Sequence, residues 1–157
     1  MTSVNQQIHR LLDDSQIPYR VVCHSQPATA EELERVRGDD LGIGGKALVI
    51  KVQEAFHLFV LNEMLRLDSQ AIKYHFGTKR IRFATVEELD TLTGLVPGTV
   101  PPFGHPVLPF NLFVDTSLTR NPAIVFTAGS LTEFFILAME DYLAIAKPTI
   151  FPFAKIV

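Results

Sequence analysis

Apolar positions recur along this chain in two rhythms. Near the start, Ile8, Leu11 and Leu12 share one helical stripe behind Ser3-Val4-Asn5-Gln6, a capping-box pattern, which predicts a helix closed by Pro18. Tyr19-Arg20-Val21-Val22-Cys23-His24 reads as a strand that Pro27 breaks, and Thr29-Ala30-Glu31-Glu32 opens a second short helix through Val36. A polar stretch, Arg37-Gly38-Asp39-Asp40, leads to the Gly44-Gly45 turn, after which Lys46 to Val52 and Phe56 to Leu61 read as paired strands. Asp68 caps a helix carrying Ile72 and Phe76, and Gly77 stops it. Arg80-Ile81-Arg82-Phe83 alternates like a short strand. Thr85-Val86-Glu87-Glu88 is a third capping box whose helix ends near Gly94. A Pro/Gly-rich loop runs to Pro109. Phe110 to Val114, Ala123 to Thr127 and Glu133 to Leu137 read as three more strands, and a last helix spans Met139 to Ala146 before a tail with Pro148 and Pro152.

Short helices between hairpin-like strand pairs predict an α+β domain built on a mixed, mostly antiparallel sheet, rather than a doubly wound parallel one. The 157 residues hold no repeat, so one domain over 1–157 is expected, long enough for a real core.

Composition narrows the function. Hydrophobic residues make up 47% of the chain, with twelve Phe and no Trp, which predicts a Phe-rich interior. No apolar run reaches the roughly 20 residues of a membrane span, and the start lacks a signal-peptide pattern, so the cytoplasm and no membrane partner are expected. Cys23 is the only cysteine, which excludes an intrachain disulfide and favours a buried structural thiol. A net charge of −3 argues against coating long nucleic acid but leaves room for a local basic patch.

Three punctuated segments border strand-like runs and predict three walls of a small polar site. In the first, Gly44-Gly45 precedes Lys46, placing a cation where backbone can approach a ligand. A lysine at a strand edge also guards against aggregation, and the spacing alone does not choose between the two roles. The second is the loop from Gly94 through Gly98, Pro101, Pro102 and Phe103 to Gly104, which lacks the ending of a phosphate-binding P-loop. Phe103 suits either a pocket wall or a core anchor. The third is Thr127-Ala128-Gly129-Ser130, which suits either a plain hairpin turn or backbone N–H groups gripping a carbonyl or oxyanion. Asp115 suits a turn-initiating role or the orientation of a partner. The five histidines show no metal spacing, so no metal and no cofactor are expected; His24 and His105 suit either a place near the site or surface and satisfied, partly buried roles. Lys73, Lys79, Arg80 and Arg82 lie in a stretch without an acid, which suits either a solvated face or a phosphate track.

As an ordered set, Gly45-Lys46-Ala47-Leu48-Val49-Ile50-Lys51, Thr93-Gly94-Leu95-Val96-Pro97-Gly98 through Pro102-Phe103-Gly104, Val114-Asp115-Thr116-Ser117-Leu118 and Thr127-Ala128-Gly129-Ser130 resemble the YbaK/prolyl-tRNA synthetase-associated domain family from about His24 to the last helix. The resemblance implies a barrel-like version of the sheet and a free-standing editing enzyme. Such an enzyme hydrolyses the ester of a mischarged aminoacyl-tRNA, typically tRNA for proline carrying a small wrong amino acid, without metal or enzyme nucleophile. It places catalytic roles on Lys46, Gly129 and Ser130. Substrate binding would fall to Gly98, Pro101, Pro102, Phe103, Gly104, Asp115 and His24. Lys73, Lys79, Arg80 and Arg82 would hold the acceptor end. Prolyl-tRNA synthetase is a further implied partner. Some members carry a histidine soon after the Gly-Ser turn; here Leu131-Thr132-Glu133 follows, so alanine specificity is not implied. The rival readings are a binding module that holds a tRNA end without hydrolysis, and a synthetase-associated partner domain.

Overall fold

The computed structural model describes residues 3–25 and 42–157. The helix predicted from Thr29 through Val36 lies outside the described residues. Four α-helices are present among them: α1 (Val4–Asp14), α2 (Ser69–Phe76), α3 (Val86–Thr93) and α4 (Met139–Ala146). Their ends follow from local chemistry. The Ser3 hydroxyl accepts from the Gln6 N–H while the Gln6 side chain accepts from the Ser3 N–H, and Thr85 and Glu88 repeat the exchange at α3. Asp68 caps α2 by accepting from the N–H groups of Gln70 and Ala71. Gly77 and Gly94 end α2 and α3 at φ of 66° and 73°, a left-handed turn that glycine makes without strain.

The sheet grows from a long hairpin, β2 (Gly42–Val52) and β3 (Ala55–Asn62), paired from Gly45 with Asn62 to Val52 with Ala55. On the β3 side lie β6 (Leu112–Asp115) and then β9 (Thr149–Phe151), both parallel to their neighbours. On the β2 side lies β7 (Ala123–Phe126), parallel to Gly42–Gly44 of β2. Antiparallel β8 (Glu133–Ala138) and β1 (Tyr19–Cys23) follow, giving the order β1-β8-β7-β2-β3-β6-β9. A short strand, β5 (Ile81–Phe83), pairs with Ile50–Val52 of β2. Two shorter strands, β4 (Arg66–Leu67) and β10 (Ala154–Lys155), form a separate ribbon.

The barrel expectation is corrected: this is a mixed sheet that does not close. A closed barrel needs each strand flanked on both sides in a continuous stagger. Here β2 takes two different neighbours, β7 and β5, on one edge, and the sheet order ends at β1 and β9.

Strand alternation sorts side chains onto two buried faces. Val49, Leu58 and Val60 face a core that includes Ile8 and Leu12 of α1, Leu89 of α3 and Tyr142 of α4. Ile50, Val52, Phe59 and Leu61 face a second core with Ile72 of α2, Phe113 and Phe153. A sheet covered on both faces explains why Leu58-Phe59-Val60-Leu61 is apolar without interruption.

Candidate active site

The site begins where the sheet is incomplete. β7 pairs with Gly42–Gly44 and β5 with Ile50–Val52, so the same edge of β2 carries no strand partner from Lys46 to Leu48 among the described residues. The Val49 carbonyl accepts from the Ala84 N–H on this edge. Backbone groups alternate edges along a strand, so the N–H and C=O of Ala47 point into the same gap. A cleft of about 140 Å³ opens there, lined by Ala47, Val49, Ala84, Thr85, Val86, Leu89, Pro97, Gly98 and others.

Two loops close over the gap. The Thr127 hydroxyl donates to the Gly98 carbonyl at 2.6 Å, and the Gly129 N–H donates to the Thr99 carbonyl at 2.7 Å. Gly98 and Gly129 hold φ of 88° and 70°, which suits glycine at both contact points. From behind, Asn5 of α1 donates to the Ala128 carbonyl at 2.9 Å and to Glu133 at 3.2 Å. The Gly129 N–H, expected as an oxyanion donor, is therefore already used by Thr99. Among the described residues, no backbone carbonyl accepts from the N–H groups of Gly98 or Ser130. Ser130 closes a local turn, its hydroxyl accepting from the Thr132 N–H at 3.1 Å.

Lys46 reaches the same end of the sheet. Gly44 pairs with Val125 in parallel register, so Lys46 and Thr127 each follow that pair by two residues. Its ammonium donates to the Leu65 carbonyl at 2.8 Å, beyond the end of β3. The glycines before it serve packing rather than ligand approach. A Cβ on Gly44 would run into the Glu63 carboxylate, and one on Gly45 would lie 2.9 Å from Ile124 Cδ1.

The remaining predicted residues separate. Pro101, Pro102, Phe103 and Gly104 are buried in the core and do not line the cleft. Phe103 is an anchor, edge-on to Phe126 and Tyr142, whose hydroxyl donates to the Pro102 carbonyl at 2.6 Å. Burial pushes that phenol's pKa far up. The Asp115 carboxylate is spent inside the fold. One oxygen accepts from the N–H groups of Phe153 and Ala154, the other from the N–H and hydroxyl of Ser117. His24 lies beside the Gly-Ser turn: its N–H donates to the Thr132 carbonyl at 2.8 Å and its ring stacks on Phe134 at 3.9 Å. Nδ1 sits 2.7 Å from the Ser25 carbonyl, which can only accept, so Nδ1 carries a proton. The basic stretch draws acids from elsewhere in the chain. Arg80 pairs with Glu54 at 2.9 Å, and Arg82 grips both oxygens of Glu88 at 2.7 and 2.9 Å. Lys79 is exposed and Lys73 half-buried at the end of α2.

A larger hollow of about 440 Å³ lies behind the turn, between the start of α1 and the loop from Leu92 to Pro109. Of the predicted residues it holds only Gly129, and no lysine or arginine lines it. The smaller cleft holds only Gly98 of the predicted residues and no lysine or arginine either; it is the better candidate because the backbone of Ala47, without a strand partner among the described residues, faces it. Sequence reasoning missed Thr127 as the clasp on Gly98 and Asn5 as the support of Ala128. The polar residue at the end of the β7 run was the available signal for the first, and nothing local marked the second.

Comparison with known proteins fits this arrangement. The family described as "Aminoacyl-tRNA editing domain" matches residues 24–145. The "Multifunctional Ser/Thr-tRNA deacylase ProXp-y" of Escherichia coli (strain K12) is 36% identical over 157 residues, covering 96% of this chain and 93% of that protein. The "Proline--tRNA ligase" of Shouchella clausii is 30% identical over 98 residues, 62% of this chain and 16% of that protein. A solved structure described as a trans-editing enzyme for prolyl tRNA synthetase shares the fold, with a TM-score of 0.79 at 24% identity over 99% of both chains.

Proposed function

The chain belongs to the aminoacyl-tRNA editing domain family and is an aminoacyl-tRNA deacylase, and from that premise we propose which ester it cleaves and which residues act. Residues 1–157 work as one editing domain in the cytoplasm, on tRNA wrongly carrying a small hydroxylated amino acid, serine or threonine. The 36% identity to a Ser/Thr-tRNA deacylase supports this choice over alanine. The proline–tRNA ligase similarity supports tRNA for proline as the carrier and work alongside that synthetase. No helix among the described residues is long and apolar enough to cross a membrane.

The observation that carries the reading is the clasp of Thr127 on Gly98 across the open edge of β2, beside Lys46. An aminoacyl ester is already activated, so positioning and charge suffice. Lys46 exchanges its Leu65 carbonyl for the substrate's ester carbonyl or terminal phosphate, keeping a charge-assisted hydrogen bond. Water attacks the ester carbon. The oxyanion is held by the N–H groups of Gly98 and Ser130. Collapse breaks the C–O bond and returns a free amino acid and a tRNA hydroxyl, the water's second proton going to the leaving oxygen.

The test is a deacylation panel of seryl-, threonyl-, alanyl- and cysteinyl-tRNA, with Lys46→Ala in parallel. Hydrolysis of the seryl and threonyl species, reduced about 100-fold or more in the variant, is expected. No hydrolysis of any species would sink the reading. Equal activity in Lys46→Ala would remove Lys46 from the mechanism.

A further inference from the structure

We propose that Phe83 is the stacking platform for the terminal nucleobase of the tRNA, a substrate contact outside the catalytic group of residues. This rests on the deacylase reading above.

Phe83 is the odd phenylalanine of the chain. Of the twelve, it alone is exposed, at 57%. Most of the others pack against rings in the cores, whereas Phe83 ends β5 at the mouth of the cleft. Val86, 58% exposed, lines the same mouth, and Val96, 49% exposed, precedes Pro97 on its rim. Apolar side chains scattered singly over a surface need no explanation, but three around one cleft mark a contact surface. Only one of the three offers a flat face.

Position selects the occupant. Phe83 pairs with Ile50, so its side chain shares a face of the sheet with Ile50, Leu48 and Lys46. Lys46 and Ile50 are four residues apart on β2, about 13 Å along the strand. The ester that Lys46 serves is attached to the ribose of the terminal nucleotide, so the base of that nucleotide lies within one nucleoside length of the reacting carbon. A ring at this distance, on this face and open to solvent, fits a base better than it fits the amino acid, which the 140 Å³ cleft already accommodates. Stacking on an aromatic ring is also indifferent to base identity.

The charges beside Phe83 lie on the other face of the same edge. Next to Phe83 along β5, a shallow groove of about 190 Å³ is lined by Lys51, Arg80 and Arg82. The two arginines already bind Glu54 and Glu88. Lys51 stands 5.7 Å over the Phe56 ring with no carboxylate partner among the described residues. Lys51 and Arg82 pair with each other, so strand alternation puts them on the face opposite Phe83, and the platform is argued from Phe83 itself and not from these cations.

The test uses the full chain and a minihelix charged with the amino acid identified by the panel. Phe83→Ala is expected to raise KM about tenfold with kcat within about twofold of the parent. Phe83→Leu, equally apolar but without a flat face, should resemble Phe83→Ala, and Phe83→Tyr should restore the parent KM. A minihelix whose terminal nucleoside lacks its base closes a double-mutant cycle: the parent should fall to the Phe83→Ala level and the variant should lose nothing more. A parent-like KM in Phe83→Ala, rescue by Leu, or additive losses in the cycle would each overturn the proposal while the deacylase reading stands. If the parent hydrolyses no charged tRNA, the underlying reading fails and the proposal with it.

Discussion

Two regions of this sheet treat their polar groups in opposite ways. At the end of β6, the Asp115 carboxylate is only 2% exposed and accepts four hydrogen bonds, two from the C-terminal tail and two from Ser117. On the open edge of β2, Ala47 and Gly98 line a cleft with no partner strand among the described residues, and neither the Gly98 N–H nor that of Ser130 in the neighbouring turn finds a backbone acceptor there. Buried polar groups are normally satisfied, so a fully partnered carboxylate is a structural element, and unmet donors around a small cavity are places for a ligand. The sequence places an Asp at a strand end and a Gly-Ser turn in similar settings, and only the partner count tells them apart.

The sharpest break of this comparison is Asp115→Ala. It leaves the N–H groups of Phe153 and Ala154 without their acceptor, at the point where the tail adds β9 and β10 to the fold. Stability should fall by about 3 kcal/mol or more. Activity per folded molecule should stay near the parent value, because the carboxylate does not reach the cleft. Chemical denaturation with active-site titration checks both. A stable variant with lost activity would return Asp115 to substrate binding.

The same contrast explains what the sequence could and could not reveal. Ser3, Asp68 and Thr85 act on residues two or three positions away, and Gly77 and Gly94 on the turn just before them, so those helix ends are legible. The last helix runs over the span expected, Met139–Ala146. The tail is not legible. Its partners, Phe113–Asp115 for β9 and Arg66–Leu67 for β10, are far away in sequence, and Pro148 and Pro152 read as breakers although edge and terminal strand positions tolerate proline. The family was legible as an ordered set of segments rather than residue by residue. Gly98 lines the cleft, yet Pro101 to Gly104 turn inward because Phe103 packs between Phe126 and Tyr142. The Gly44-Gly45 pair suggested close ligand approach, but its missing side chains make room for Glu63 and Ile124. The acid-free basic stretch found its counter-charges in Glu54 and Glu88, one on the β2–β3 turn and one on α3.

A second, smaller test acts on the cleft itself. Thr127→Val keeps shape but deletes the hydroxyl that donates to the Gly98 carbonyl. The cost in stability should be about 1 kcal/mol, since the Gly98 carbonyl lies where water can replace the donor. The rate should fall about tenfold, because the Gly98 N–H loses its fixed position relative to Ser130. Thr127→Ser keeps the hydroxyl and should recover most of the rate. Loss of stability without loss of kcat would mean that the clasp is structural, like Asp115.

The smallest effect tests the comparison at the surface, where a carboxylate accepts three hydrogen bonds against the four of Asp115 but stands in water. Glu88 accepts two bonds from Arg82 and one from the Thr85 N–H, and these hold its pKa at about 2, down from 4.5. Between those values the unfolded chain takes up a proton that the folded one refuses. The contribution of Glu88 is therefore fully present above pH 4.5 and lost as pH falls toward 2. Thermal melts of the parent and Glu88→Gln should differ most near neutral pH and converge as the solution is acidified. The neutral-pH gap should amount to a few degrees at most and shrink in high salt, because exposed ion pairs are screened. A gap that persists unchanged in acid would show that Glu88 does not act through its charge on Arg82, and no gap at any pH would show that it acts through the Thr85 cap alone, which the amide of Gln can still serve.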